Sequence, residues 1–324
     1  MAYQPPVKHP DNQAGVELIN EILQPTQHND AATLRNLKLR VANQKFWFSV
    51  MWLAGLITLV VLLLVVGYVI VQGGKALNWQ FLSTAPKGGL SGEGGISTTI
   101  GTTVYLVGLT LLISTPMGVG AAVYLIEYAG EQSLTSPILR VLISIANFSV
   151  ETLAGIPSII YGLFGYALFV STLRFGWSLL SAALAGACLV LPTIIRTTEE
   201  ALLTVPDDYR RGSLALGATK WQTLYQVVLP AAIPGIITGI ILSVGRVISE
   251  TAVFFVTLGG SHRLPTSIMD GGRTLALHLY YLAMDTNAFD KAMGTAAVLV
   301  ILIVLINLVI DIISRKLTAK IRGG

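Results

Sequence analysis

The sequence predicts an all-α integral membrane protein with six transmembrane helices. Only 12% of its 324 residues are charged and 53% belong to the hydrophobic set, where soluble domains carry about 25% charged residues; mean hydropathy is +0.70. Apolar runs poor in charge lie at about 46–72, 98–126, 141–170, 177–195, 231–258 and 292–312. Each is close to or above the roughly 20 residues that a helix needs to cross the hydrocarbon core.

The basic residues orient these spans, because Lys and Arg favour cytoplasmic loops. With both termini in the cytoplasm, the inside segments hold Lys8, Arg35, Lys38, Arg40, Lys45, Arg140, Arg196, Arg210, Arg211, Lys220, Arg315, Lys316, Lys320 and Arg322, 14 of 21. Outside fall Lys75, Lys87, Arg174, Arg263, Arg273 and Lys291, and Arg246 lies within the fifth span. A multi-pass protein of the cell membrane with both termini cytoplasmic is the expectation.

Residues 1–45 are polar and precede the first apolar run by too much for a short secretory signal. They are expected to form a partly disordered cytoplasmic tail. Its end, TLRNLKLRVANQK, is either a short amphipathic helix on an anionic membrane surface or a solvated linker. Residues 46–72 make the first span and 73–95 an external segment, and a core over 96–315 holds the rest, with a cytoplasmic tail at 316–324.

The second span opens on Ser97, Thr98, Thr99, Thr102 and Thr103, hydroxyls that either cap and pack helices or line a path for a hydrated anion. Glu151 and Pro157 interrupt the third. Proline breaks the helical ladder there, and the freed backbone groups need partners in protein or a water-lined cavity; Ser158 is a candidate. Cys188, the single cysteine, lies in the fourth span and cannot form an intrachain disulfide. Asp311 and Asn307 mark the cytoplasmic end of the sixth.

Charges inside a span cost about 2.5–3.5 kcal/mol each on insertion scales and usually face protein or a water path. Glu151, Arg246 and Glu250 are the three at depth. Arg246 and Glu250, four apart on one predicted helix, can pair. Such a pair either fixes packing or holds a pathway arginine whose planar fork suits a tetrahedral oxyanion, with Glu250 orienting it and easing release. Glu151 either shares that polar path or hydrogen-bonds the nearby backbone gap.

Between the fourth and fifth spans stands a compact polar insert, PDDYRRGSLALGATKWQTLYQVVLP at 206–230. Pro206 with Asp207 and Asp208 suits a first helical turn, so a helix is expected over 206–216. Gly217 is a natural stop, and Thr219 to Gln222 fits a capping box opening a second helix at about Lys220. Trp221, Leu224, Tyr225 and Val228 follow the spacing of one apolar face, and Leu229-Pro230 is expected to close the helix. That face either packs in its own bundle or docks another protein.

The stretch resembles the EAA coupling motif of ABC importer permeases, in Gly217 with Ala218 and in Leu229-Pro230. It departs where Arg211 stands for the usual acidic residue and Gly212 and Ser213 for two alanines. The resemblance implies a type I ABC importer permease with a cytoplasmic helix-hinge-helix. Asp207, Tyr209, Arg211, Gly217, Ala218, Lys220, Trp221 and Pro230 would then meet the ATPase.

Gly212 and Gly217 have a phosphate-loop spacing, but Ala218 stands where the lysine must follow. If ATP drives this protein, another subunit hydrolyses it; the resemblance implies ATP and Mg on partner ATPase subunits, no cofactor on this chain, and a chain that is not itself an enzyme. His262 and His278 lack ligand spacing for a metal, no catalytic dyad or H-E-x-x-H motif is present, and no basic patch with interleaved aromatics suggests nucleic acid.

GGISTTIGTTVYLV at 94–107, GIPSIIYGLFG at 155–165, GRVISETAVFFVTLGG at 245–260 and GRTLALHLYYLA at 272–283 are similar to the A-type (PstA-like) permease of phosphate-specific ABC importers. This implies a homologous C-type permease beside it, an ATPase dimer on the coupling elements and an external phosphate-binding protein, all around membrane lipid. The external segment 73–95, with Trp79 and Phe81, would dock that protein or lie on the membrane interface. Sulfate or molybdate import is the near alternative; an ion-coupled transporter or channel would need no docking lever.

Overall fold

A computed structural model describes residues 30–321 apart from 88–91, 130–136 and 287. Among the described residues, six helices are long and apolar enough to cross a membrane: Asn43–Gly74, Ser97–Tyr128, Pro137–Ala154, Leu179–Leu203, Lys220–Ser249 and Phe289–Lys316. The all-α, six-span class is as expected, and the boundaries move in four places.

The chain divides into two compact units, through Val65 and from Val66 onward. The first holds most of α1, Asp30–Gly74, whose side chains over 46–65 are exposed and, apart from Ser49 and Thr58, apolar, as a lipid-facing helix requires. Helix therefore begins at Asp30, inside the expected tail, because no proline or glycine interrupts residues 30–54 and Leu, Lys and Arg are good helix formers. The expected disorder of residues 1–29 falls outside the described residues.

In the second unit, the short α2, Trp79–Ser83, is capped by Asn78, which accepts the Phe81 N–H at 2.7 Å. Phe81 is buried with Ile96 and Leu275 while Trp79 is exposed. α3, Ser97–Val123, continues through a π turn, Tyr124–Tyr128.

The expected third span is two helices, α4 at Pro137–Ala154 and α5 at Ser158–Gly165, the latter extended by a π turn at Tyr166–Thr172. Pro157 sits at the break with extended backbone, φ −57° and ψ 138°. The Tyr161 hydroxyl donates to the Leu153 carbonyl at 2.7 Å across it. Tyr161, not Ser158, thus serves a carbonyl freed by the break.

α6, Leu179–Leu203, is the centre of the unit and packs chiefly on α3 and α9. Ala182, Ala183, Ala185 and Gly186 let neighbours approach. A Cβ at Gly239 of α9 would strike Thr197 of α6, so glycine is needed at that crossing.

The insert begins as expected. α7 is Asp207–Ala215 with Pro206 at its N-cap, and α8, Lys220–Thr223, carries the capping box between Thr219 and Gln222. It does not end at Leu229-Pro230. A π turn over Leu224–Val228 runs directly into α9, Leu229–Ser249, because a proline at the first turn of α9 has no donor to lose and a wide turn absorbs its ring.

α9 stops at Ser249, short of the expected 258, and α10, Ala252–Thr257, follows as a separate helix. α11, Leu275–Met284, is capped by Thr274. α12, Phe289–Ile321, closes the bundle against α9 and α11.

Candidate translocation and coupling sites

Two neighbourhoods gather the polar residues of the bundle. The first lies where α9 ends. Arg246 is half-buried in the last turn of α9, and its guanidinium makes no hydrogen bond or ion pair among the described residues.

Glu250 does not pair with it. The backbone turns extended at Glu250, φ −74° and ψ 129°, which takes the side chain off the helical ladder on which residues four apart are neighbours. Its carboxylate instead accepts the Val253 N–H at 3.2 Å, at the positive end of α10.

Glu151 of α4 also finds another partner, Arg196 of α6, at 2.5 Å, and Arg196 reaches Glu199 at 3.1 Å. Arg196 therefore lies within α6 and not in a connecting segment. Ser158 opens α5 half-buried, its hydroxyl without a hydrogen bond among the described residues. Arg246, Glu250, Glu151 and Ser158 are thus not gathered into one cluster. Beside them, a cleft of about 460 Å3 between α4, α5 and α6 is lined by apolar side chains with Tyr161 and Cys188.

The second neighbourhood is the insert. Gly217 has φ +88°, a left-handed turn that glycine takes without cost. Across it the Ser213 and Thr223 hydroxyls lie 2.9 Å apart and the Ala218 N–H donates to Ser213 O at 3.2 Å, making α7 and α8 a bracket.

The expected apolar face divides. Leu224 and Val228 are buried against Leu202, Val205 and Ile236. Trp221 and Tyr225 point away from that core, exposed and stacked with ring centroids 6.4 Å apart. Tyr209, Leu214 and Leu216 are exposed as well, Leu216 by 90%. Isolated exposed apolar residues are ordinary; here two aromatic rings are stacked on each other while exposed.

Asp207 and Arg211 stand at the exposed rim, and Asp207 also meets Arg210 at 3.3 Å. Lys220 lies over the Tyr128 ring at 4.9 Å. Pro230 is inside the continuous helix and half-buried, so it is not on the exposed face.

Sequence reasoning did not single out Arg210 beside its exposed neighbour Arg211. Only 18% of its side chain is exposed, and it pairs with Glu127 at 2.8 Å. A charged Glu127 at the edge of the second apolar run was the available clue.

At the opposite end of α3, the hydroxyl run is buried in packing. Thr98 donates to His262 O at 2.8 Å and Thr103 accepts the Leu275 N–H at 2.9 Å. Nearby, Arg273 donates to Gly260 O at 3.2 Å and stacks on Tyr281 at 4.1 Å. Burial, then the Arg273 charge, pushes the buried His278 down to about 4.

Residues 134–323 match the family model described as binding-protein-dependent transport system inner membrane component. The chain belongs to this family of ABC importer permeases. It is 35% identical over 289 residues to the probable ABC transporter permease YqgI of Bacillus subtilis, covering 82% of this chain and 95% of that protein. It is 34% identical over 313 residues to the phosphate transport system permease PstA 1 of Mycobacterium tuberculosis, covering 95% and 97%.

The methionine ABC transporter MetNI, in an inward-facing conformation, shares the fold with a TM-score of 0.52 at 24% identity, over 69% of this chain and 94% of that one. This permease is PstA-like and is not an ATPase.

Proposed function

We propose that the chain is the membrane permease of an ATP-driven inorganic phosphate importer. One observation carries the mechanism: the exposed Trp221 belongs to the same continuous helix, Lys220–Ser249, as the unpaired Arg246. PstA-like relatives named for phosphate transport supply the substrate class.

The bracket and both termini face the cytoplasm. An ATPase subunit seats on Tyr209, Leu214, Leu216, Trp221 and Tyr225, with Asp207 and Arg211 at the rim and Gly217, Ala218 and Lys220 shaping the turn. Pro230 acts from within the helix, allowing α8 and α9 to move together.

A homologous C-type permease completes the pathway, and a phosphate-binding protein delivers substrate at the other face. ATP binding closes the ATPase pair, shifts the brackets and turns the pathway outward; hydrolysis resets it. Mg and ATP stay on the partner.

Arg246 offers its guanidinium fork to the tetrahedral anion, which carries charge and acceptors to match. Ser158, at the start of α5, supplies a hydroxyl. Glu250 acts at the helix break beside the arginine instead of pairing with it. Glu151, tied to Arg196, lines the same path further along.

The test is uptake of labelled phosphate by proteoliposomes holding the whole complex, with excess sulfate as competitor. ATP-dependent uptake that resists sulfate supports the proposal. Uptake lost to sulfate or molybdate moves the substrate to another oxyanion, and transport without ATPase subunits overturns the mechanism.

A further inference from the structure

The bracket is joined by chain to two membrane helices: α6 leads into α7 through 204–206, and α8 runs into α9. α3, the helix most extensively packed on α6, has no such link. Yet its π turn reaches both arms of the bracket.

Glu127 accepts the Nε and Nη2 donors of Arg210, on α7, at 3.1 and 2.8 Å. The next residue, Tyr128, lies under Lys220 of α8 with its ring 4.9 Å from the ammonium. Successive side chains diverge by about 100° around a helix, so two adjacent residues are able to face two different elements.

Arg210 also binds the end of α6, donating through Nη1 to Val205 O at 2.7 Å and through Nη2 to Leu202 O at 2.9 Å. One guanidinium therefore holds α7, α6 and α3 together. Glu127 is 12% exposed and Arg210 18%, and a charge pair so far out of water is expensive to break by removing one partner.

We infer that Glu127 and Tyr128 form a clasp that makes α3 move with the bracket, with Arg210 and Lys220 as its holds. The inference rests on the coupling role proposed above and adds a positioning function for these four residues. A push on α7 and α8 then reaches α6 and α9 through the chain and α3 through the clasp. Loss of the clasp leaves α3 behind while the ATPase still turns over.

The decisive quantity is phosphate transported per ATP hydrolysed by the assembled complex in proteoliposomes. Glu127→Gln is expected to retain the ATPase and its hydrolysis, while the ratio falls about fivefold or more, the range of ordinary site-to-site coupling. Exchanging the charges, Glu127→Arg with Arg210→Glu, restores the pair but not the bonds to Leu202 O and Val205 O, and should recover only part of the ratio. Tyr128→Leu, which keeps apolar bulk without the ring face, should lower it less.

A purely structural role lowers the yield of complex at constant ratio, and that result overturns the clasp. If Glu127→Gln fails to assemble, Tyr128→Leu decides: a lowered ratio supports the clasp and an unchanged one overturns it. Trp221→Glu separates the coupling role itself. An ATPase that stays bound to that variant overturns docking, whereas a lost ATPase with an unchanged Glu127→Gln ratio overturns the clasp alone.

Discussion

Trp221 and Arg246 stand on one continuous helix, roughly 37 Å apart along its axis at about 1.5 Å per residue. The face proposed to dock the ATPase and the cation, unpaired among the described residues, are therefore joined by continuous helix. A tilt of the bracket displaces the α9 end that carries Arg246, without a loop to absorb the motion.

Arg246→Ala is expected to abolish most uptake while the complex remains assembled. A hydrogen bond to a charged group contributes about 1.5–3 kcal/mol, so loss of the fork lowers uptake by roughly 10- to 150-fold. Arg246→Lys keeps the charge without the planar fork and falls between. Labelled-phosphate uptake, read against the amount of complex in the vesicles, checks both. Full uptake by Arg246→Ala would make the arginine structural.

Glu250 separates two roles by a pair of substitutions. Its carboxylate accepts the Val253 N–H, and Gln keeps an accepting oxygen while losing the charge. Glu250→Gln should cost about 0.3–1 kcal/mol and leave uptake nearly intact. Glu250→Ala removes the acceptor and costs about 1 kcal/mol, like a lost helix cap. Thermal unfolding and uptake of the two variants test this; a Gln variant as inactive as Arg246→Ala would restore the ion-pair account.

The difference between Arg246 and Glu250 shows what was legible in the sequence. Spans follow from local composition, and the hinge from local turn chemistry, so Gly217 and the Thr219–Gln222 box were readable. Partners at long range were not. Glu151 meets Arg196, 45 residues on, and Glu127 meets Arg210, 83 residues on; neither spacing has a period to detect. The Arg246–Glu250 expectation failed for a related reason, because it assumed helix through residue 250 and no proline or glycine marks the break there. Likewise, Leu229-Pro230 signals an end in isolation, but proline is equally at home in a helix's first turn.

Gly217→Ala tests the bracket's turn. An added Cβ meets open space, so the penalty is the left-handed backbone alone, about 1 kcal/mol. Gly217→Asn should cost less, since asparagine tolerates that region better. Hydrogen exchange over 207–223 is expected to quicken in the Ala variant, and ATPase copurification to weaken with it. Unchanged exchange would mean that the turn relaxes without cost.

Acid is expected to weaken the segment around α11 through His278. Its imidazole is buried against Arg273, whose Nη1 lies 3.5 Å from Nδ1, so a second proton on the ring meets a guanidinium. The folded value is pushed down to about 4 from an ordinary 6.5. Between those values the unfolded segment binds more protons than the folded one, so stability rises with pH there. The contribution is fully present above pH 6.5 and is lost as pH falls toward 4, by about 2 kcal/mol at pH 5. His278→Gln, which has no proton to gain, should flatten the dependence. Hydrogen exchange of residues 258–284 at pH 7 and pH 5, corrected for intrinsic rates, compares the two proteins. An equal loss of protection in the variant would assign the acid sensitivity to another group, with the nearby His262, also lowered by burial and the Arg273 charge, the next to replace.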